Sequence, residues 1–170
     1  KWIRLGVWWP DPQLRLFRTG KGKFKEAHVH EYVSLEGKTE TLDASFVHHN
    51  YHSIEQFLYK MEHIYTVSEV ARLETIGYKV RWFDALRFPI SDFVKVFFAQ
   101  QGYKDGLHGL VLSILQAFYM FIVFVKVWEK EGFVEKELSL REVTHEISRQ
   151  KKEVSYWALT SIMAETSNPF

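Results

Sequence analysis

Cysteine is absent from the 170 residues, which excludes disulfides, thiolate nucleophiles and cysteine metal sites together. Proline occurs four times and glycine nine, too rarely for a collagen-like or low-complexity chain. An excess of one charge is also lacking: 22 Lys and Arg against 21 Asp and Glu leave a net +1. Overall charge therefore argues against nucleic acid as a partner. No Walker glycine loop, Rossmann fingerprint, serine nucleophile elbow or Asp-x-Asp pair occurs, so no complete catalytic motif stands in this chain. Lys1 is preceded by neither an initiator Met nor the basic, apolar and small-residue succession of a signal peptide. The expectation is a fragment of a longer protein.

Apolar residues make up 46% of the chain, enough for a core that buries roughly 70% of the unfolded surface. Charge and hydropathy are unevenly spread. Residues 1–25 hold seven Lys or Arg against one Asp, together with Trp2, Trp8 and Trp9. Within them Leu14-Arg15-Leu16-Phe17-Arg18 predicts a strand feeding the turn Thr19-Gly20-Lys21-Gly22-Lys23. That pattern fits a solvated hairpin, or an anion site in which Arg15 and Arg18 make charge-assisted phosphate contacts. Val29 to Leu35 and Thr39 to Leu42 flank Glu36-Gly37-Lys38 as a second hairpin, and Phe46-Val47-His48 predicts another short strand.

The architecture is expected to change at Ser53. Ser53-Ile54-Glu55-Gln56 matches a capping box, and Ile54, Phe57, Leu58, Met61, Ile64 and Tyr65 follow at helical spacing. Gly77 is the expected stop. Pro89 is placed to open a helix that runs to about Gln101, with Gly102 as terminator. From Leu107 to Val125, nineteen residues pass without Asp, Glu, Lys or Arg, close to the roughly 20 that cross a bilayer core. Three readings fit: a buried or oligomer-interface helix, a helix lying in the membrane, and a spanning helix. Lys126, Trp128 and Lys130 at one end and Tyr103 and Lys104 at the other favour membrane association. Finally, Ser139-Leu140-Arg141-Glu142 is a second capping box opening an amphipathic helix, expected to pack on its neighbours or to lie on a membrane surface. The sequence thus divides into 1–52, a helical part 53–134, and a C-terminal helix in 135–170.

Chemistry-bearing residues concentrate before Ser53. In a strand, His28 and His30 share one face while Val29 and Glu31 share the other. His48-His49 adds imidazoles nearby, but three or four histidines without an acidic cluster are thin support for zinc. Glu31 beside His30 suits a general base acting on a hydroxyl, or simply a solvated strand residue.

The succession Trp8-Trp9-Pro10, Leu14-Arg15-Leu16-Phe17-Arg18, Gly20-Lys21-Gly22-Lys23-Phe24, Val29-His30-Glu31, His48 and Tyr51-His52-Ser53-Ile54 resembles the C-terminal half of family 2 glycosyltransferases. It is most similar to the bacterial branch containing lipopolysaccharide core-biosynthesis glucosyltransferases. Gly102-Tyr103-Lys104-Asp105-Gly106-Leu107-His108-Gly109 and Ala117-Phe118-Tyr119-Met120-Phe121 through Lys126-Val127-Trp128-Glu129 resemble the C-terminal extension of that branch. The resemblance covers about residues 1 to 131.

It implies an α+β fragment: a β-hairpin region completing a GT-A α/β fold whose nucleotide-binding half and Asp-containing metal motif precede Lys1, then a mostly helical membrane-associated or oligomerising extension. Arg15 and Arg18 match the segment near the donor diphosphate, His30 and Glu31 the pair near the acceptor, and His48 the later His that faces the metal or diphosphate. His49 and His52 stand where that family usually has an aromatic residue and an Arg. The implied partners are a nucleotide-sugar donor, a glycan or lipid-linked acceptor, and a divalent cation, Mg or Mn. A homo-oligomer and a membrane surface also fit, at the cytoplasmic face of the inner membrane. The competing expectation is a noncatalytic membrane-associated or oligomerisation module.

Overall fold

The computed structural model describes residues 2–24 and 33–167. Packing divides the chain into two compact units, one formed by Lys1–Pro10 with Val70–Phe170 and the other by Asp11–Glu69.

In the second unit, strands β1 (Gly22–Phe24) and β2 (Val33–Leu35) pair antiparallel, with Lys23 opposite Ser34. This is not the hairpin expected around Gly37: β2 pairs backwards to β1, and residues 39–42 and 46–48 form no strand. The strand expected over Leu14 to Arg18 is absent too. Its Phe17 ring lies over Gly22, where a Cβ would come within 2.6 Å of the ring, and meets Phe24 edge-on at 6.4 Å. The glycine turn does form, with Lys21 N–H donating to the Arg18 carbonyl at 3.0 Å and Gly20 at φ +81°. Helix α1 (Ile54–Lys60) then opens as its capping box requires. Gln56 N–H donates to Ser53 Oγ at 3.1 Å, while Gln56 Oε1 reaches back to His52 N–H at 2.8 Å.

A π-helical turn, Met61–Tyr65, joins α1 to α2 (Thr66–Thr75). The fully buried Thr66 Oγ1 donates to the Met61 carbonyl at 2.6 Å, adding to the Thr66 backbone donor on the same oxygen. Gly77 ends α2 at φ +66°, with Tyr78 N–H reaching the Leu73 carbonyl at 2.9 Å, the six-to-one closure of a Schellman cap.

In the first unit, α3 (Asp84–Val94), α4 (Leu107–Lys130) and α5 (Leu140–Ser167) pack around Val80, Val123, Phe124 and Val127, with Val70 and Leu73 from α2. Each such side chain removed from water contributes about 2 kcal/mol. Helix α3 starts earlier than Pro89, at Asp84, whose buried carboxylate ties the preceding residues to the first turn: Asp84 Oδ2 accepts from Arg81 N–H at 2.8 Å and Tyr78 Oη at 3.0 Å. Pro89 therefore sits inside the helix. A second π turn, Lys95–Ala99, follows, and then a left-handed Gln101 at φ +58°.

The turn from α3 to α4 is made by small residues. A Cβ on Gly109 would lie 1.8 Å from the Gly102 carbonyl oxygen, and one on Gly102 would lie 2.7 Å from the Val96 carbonyl oxygen. Ser113, one turn beyond Gly109, is fully buried and donates to the Gly109 carbonyl at 2.7 Å. Helices α3 and α4 are antiparallel, since Glu131 at the end of α4 accepts from Val80 N–H, just before α3, at 3.1 Å. Helix α5 opens on the expected capping box, with Ser139 N–H donating to Glu142 Oε2 at 3.1 Å and Glu142 N–H to Ser139 Oγ at 3.2 Å.

Replacing Gly109 by Ala is expected to cost about 3 kcal/mol, because backbone rather than a movable side chain occupies the Cβ position. Gly77→Ala meets only the left-handed backbone penalty of about 1 to 2 kcal/mol, since nothing lies within 4 Å of its Cβ position. Urea unfolding of the two variants checks the order.

Candidate functional site

Arg15 and Arg18 lie in the irregular segment before the Gly20 turn, both exposed. Among the described residues they have no carboxylate partner, and neither have Lys21 and Lys23. Four cationic side chains within nine residues thus remain available to an anion. His30 and Glu31 lie outside the described residues. His48 is exposed, and no hydrogen bond or ion pair among the described residues links it to Arg15 or Arg18. Among the described residues no three His, Asp or Glu gather in a group able to hold a metal ion.

A polar cluster that the motif reading missed stands next to His48. Lys60 Nζ donates to the Asn50 carbonyl at 2.9 Å and lies 5.2 Å from the centre of the Tyr51 ring. Tyr51 Oη donates to Tyr65 Oη at 3.2 Å, and the His49 and His52 rings stack at 6.0 Å. The sequence signal was available: Lys60 follows Ser53 by two helical turns and so faces back toward the residues that enter α1. The lysine holds Asn50 and Tyr51 onto the helix.

In the helical unit, the run from Gly102 to Gly109 holds the N-terminal segment. The buried Asp105 carboxylate accepts from Arg4 N–H and Leu5 N–H, each at 3.0 Å. Gly6 N–H donates to the Gln100 carbonyl at 3.0 Å. The segment immediately before Trp8-Trp9-Pro10 is therefore fixed to the start of α4.

Glu146 docks α5 beside α3. Its carboxylate accepts from Arg87 at 2.9 and 3.2 Å, from Arg149 at 2.7 Å and from Gln150 at 2.7 Å. The Arg87 hydrogen bonds hold the carboxyl at about 2, against an ordinary 4.5, with Arg149 and Gln150 adding and burial opposing. The Arg87 guanidinium also covers the Phe83 ring at 3.8 Å. At the other end of α5, burial raises the Tyr103 phenol and the Glu165 charge adds to it, so α5 runs from the start of α3 toward the start of α4.

Helix α4 leaves an apolar stripe uncovered. Leu107, Val111, Ile114, Phe118 and Phe121 are exposed at alternating spacings of four and three residues, one continuous face of the helix. An 18-residue window of α4 has mean hydropathy 2.2 and is 22% buried, so by length and composition the helix is able to cross a membrane and most of its surface is not core. No protein-family model matches the chain, and no solved structure matches it.

The depressed carboxyl carries a sign. Glu146 stabilises the fold wherever it is ionised, fully above its unfolded value near 4.5, and that contribution is lost as the pH falls toward 2. Glu146→Gln is expected to cost about 2 kcal/mol near neutral pH, allowing for the solvent contact of Arg87 and Arg149. The gap to the unsubstituted chain should narrow steadily as the medium is acidified, as followed by urea midpoints across that range.

Proposed function

We propose that this chain is the C-terminal portion of a glycosyltransferase that moves a sugar from a nucleotide-sugar donor to a glycan or lipopolysaccharide-type acceptor at the cytoplasmic face of a membrane. The observation that carries the reading is the cluster of exposed cations Arg15, Arg18, Lys21 and Lys23, free of carboxylate partners among the described residues, placed within the ordered set of motifs. A departing nucleoside diphosphate gains negative charge as its bond to the sugar breaks, and fixed cations at that point lower the barrier. The acceptor hydroxyl oxygen bonds to the anomeric carbon while the diphosphate oxygen leaves with the electron pair. Glu31, next to His30, takes or orients the hydroxyl proton.

A divalent cation is part of the family expectation. Among the described residues no three His, Asp or Glu gather at His48 or elsewhere to hold it, and no step is assigned to the ion. The apolar stripe of α4 and its mostly unburied surface support membrane association, which confines the enzyme to the surface where a lipid-linked acceptor lies. The same stripe, with its spacing of four and three, also supports a second reading, a noncatalytic module that oligomerises through α4.

The reading is tested on the whole encoded protein with a panel of nucleoside diphosphate sugars. Transfer to a lipopolysaccharide-type acceptor is expected, and Arg15→Ala or Arg18→Ala should each weaken nucleoside diphosphate binding about tenfold, the worth of one charge-assisted contact. Glu31→Gln should abolish turnover while leaving that binding intact. Absence of nucleotide binding by the whole protein would reject the transferase reading in favour of the module.

A further inference from the structure

Helix α5 has two unlike halves around its circumference. At 3.6 residues per turn, Glu142, Glu146 and Glu153 fall in one row, and the buried Glu146 and Gln150 mark the docked side. The opposite half-cylinder contains no acid. Arg141, His145, Lys151 and Lys152 project from its first part, all exposed, and Arg141, Lys151 and Lys152 have no ion-pair partner among the described residues. On the same side, the last part of the helix turns apolar: Tyr156, Leu159, Ile162 and Met163 are 64%, 61%, 57% and 67% exposed. Tyr156 stands at the junction of the cationic and apolar zones, its ring 5.7 Å from that of Trp157, which falls on the docked side in the row of Glu146 and Glu153.

We infer that the outward face of α5 is a contact surface for an anionic phospholipid bilayer, with Lys151 and Lys152 at the phosphate level and Leu159, Ile162 and Met163 in the acyl boundary. The order along the helix selects this partner. A nucleic acid would match the cations and leave four large apolar side chains in water. A lipid surface matches both zones, since basic side chains meet headgroups while the adjoining apolar ones enter the layer. Amphipathic aromatic rings settle at the level between the two, which is where Tyr156 lies. From Tyr156 to Met163 the rise is about 10 Å, comparable with the roughly 5–10 Å depth of interfacial insertion. Because the zones succeed one another along the axis, α5 enters tilted, its C-terminal end deepest. This rests on the membrane association proposed above, but assigns the headgroup recognition to α5 rather than to the stripe of α4.

The test is flotation of the 170-residue chain with vesicles of phosphatidylcholine alone and of phosphatidylcholine with about one third phosphatidylglycerol. Binding to the anionic vesicles is expected to exceed that to the neutral ones at least tenfold and to fall as salt rises from about 0.1 M to about 0.5 M. Lys151→Glu with Lys152→Glu should remove the preference for anionic vesicles. Leu159→Ser with Met163→Ser should weaken binding to both, with helical circular dichroism unchanged in each variant. If the anionic vesicles float the unsubstituted chain and both α5 variants alike, the assignment to α5 is overturned while membrane association stands. If neither vesicle floats the chain, both ideas fall. A dimer in sedimentation that Leu159→Ser with Met163→Ser dissociates, with vesicle flotation unaffected, would give the face to a second copy instead.

Discussion

The helical unit depends on one backbone approach. The Gly102 carbonyl comes so near the start of α4 that Gly109 has no space for even a methyl group, and this closeness sets how α3 and α4 diverge from their shared turn. Ser113, also small and fully buried, continues the same seam, where small residues let two backbones pack in direct contact. With the turn fixed, Asp105 faces the chain segment that carries Arg4 and Leu5, and Val80 meets Glu131 at the far end. The apolar core of Val123, Phe124 and Val127 fills the space that these two ends define.

Attachment of α5 follows a different physics. Its fully covered residues are Glu146 and Gln150 rather than leucine or valine, so the helix is located by a directional ionic contact. A carboxylate that takes two of its five hydrogen bonds from Arg87 of α3 specifies register, because sliding the helix by one turn would break both and leave the buried Glu146 only Arg149 and Gln150 of its own helix. That device leaves apolar side chains of the helix uncommitted to the core, including those at Tyr156, Leu159, Ile162 and Met163.

Local rules were the most readable part of this sequence. Both capping boxes form, at Ser53 and at Ser139, and Gly77 closes its helix, because each depends on residues within one turn of each other. Strand pairing was less readable. The pairing of Gly22–Phe24 with Val33–Leu35 and the loss of the strand at Leu14 to Arg18 turn on where the Phe17 ring lies, a contact that period-two patterning does not encode. The start of α3 at Asp84, whose carboxylate reaches back to Arg81 N–H, was hidden by the more conspicuous Pro89. Of the candidate site, the cationic character of residues 15–23 was visible in composition, whereas Lys60, Asp105 and Glu146 draw their roles from partners distant in sequence or on the reverse of a helix, which a motif does not name.

Asp105 grips the N-terminal segment through main-chain N–H groups, those of Arg4 and Leu5. Those two hydrogen bonds themselves do not depend on which side chains stand at positions 4 and 5. Position 6 has no such freedom, since Gly6 adopts φ +73° with Val96 3.3 Å from its Cβ position. A library randomised at these three neighbours would return glycine at position 6 far more strictly than any one residue at positions 4 and 5, a signature of a tether that recognises the shape of the chain before its lettering.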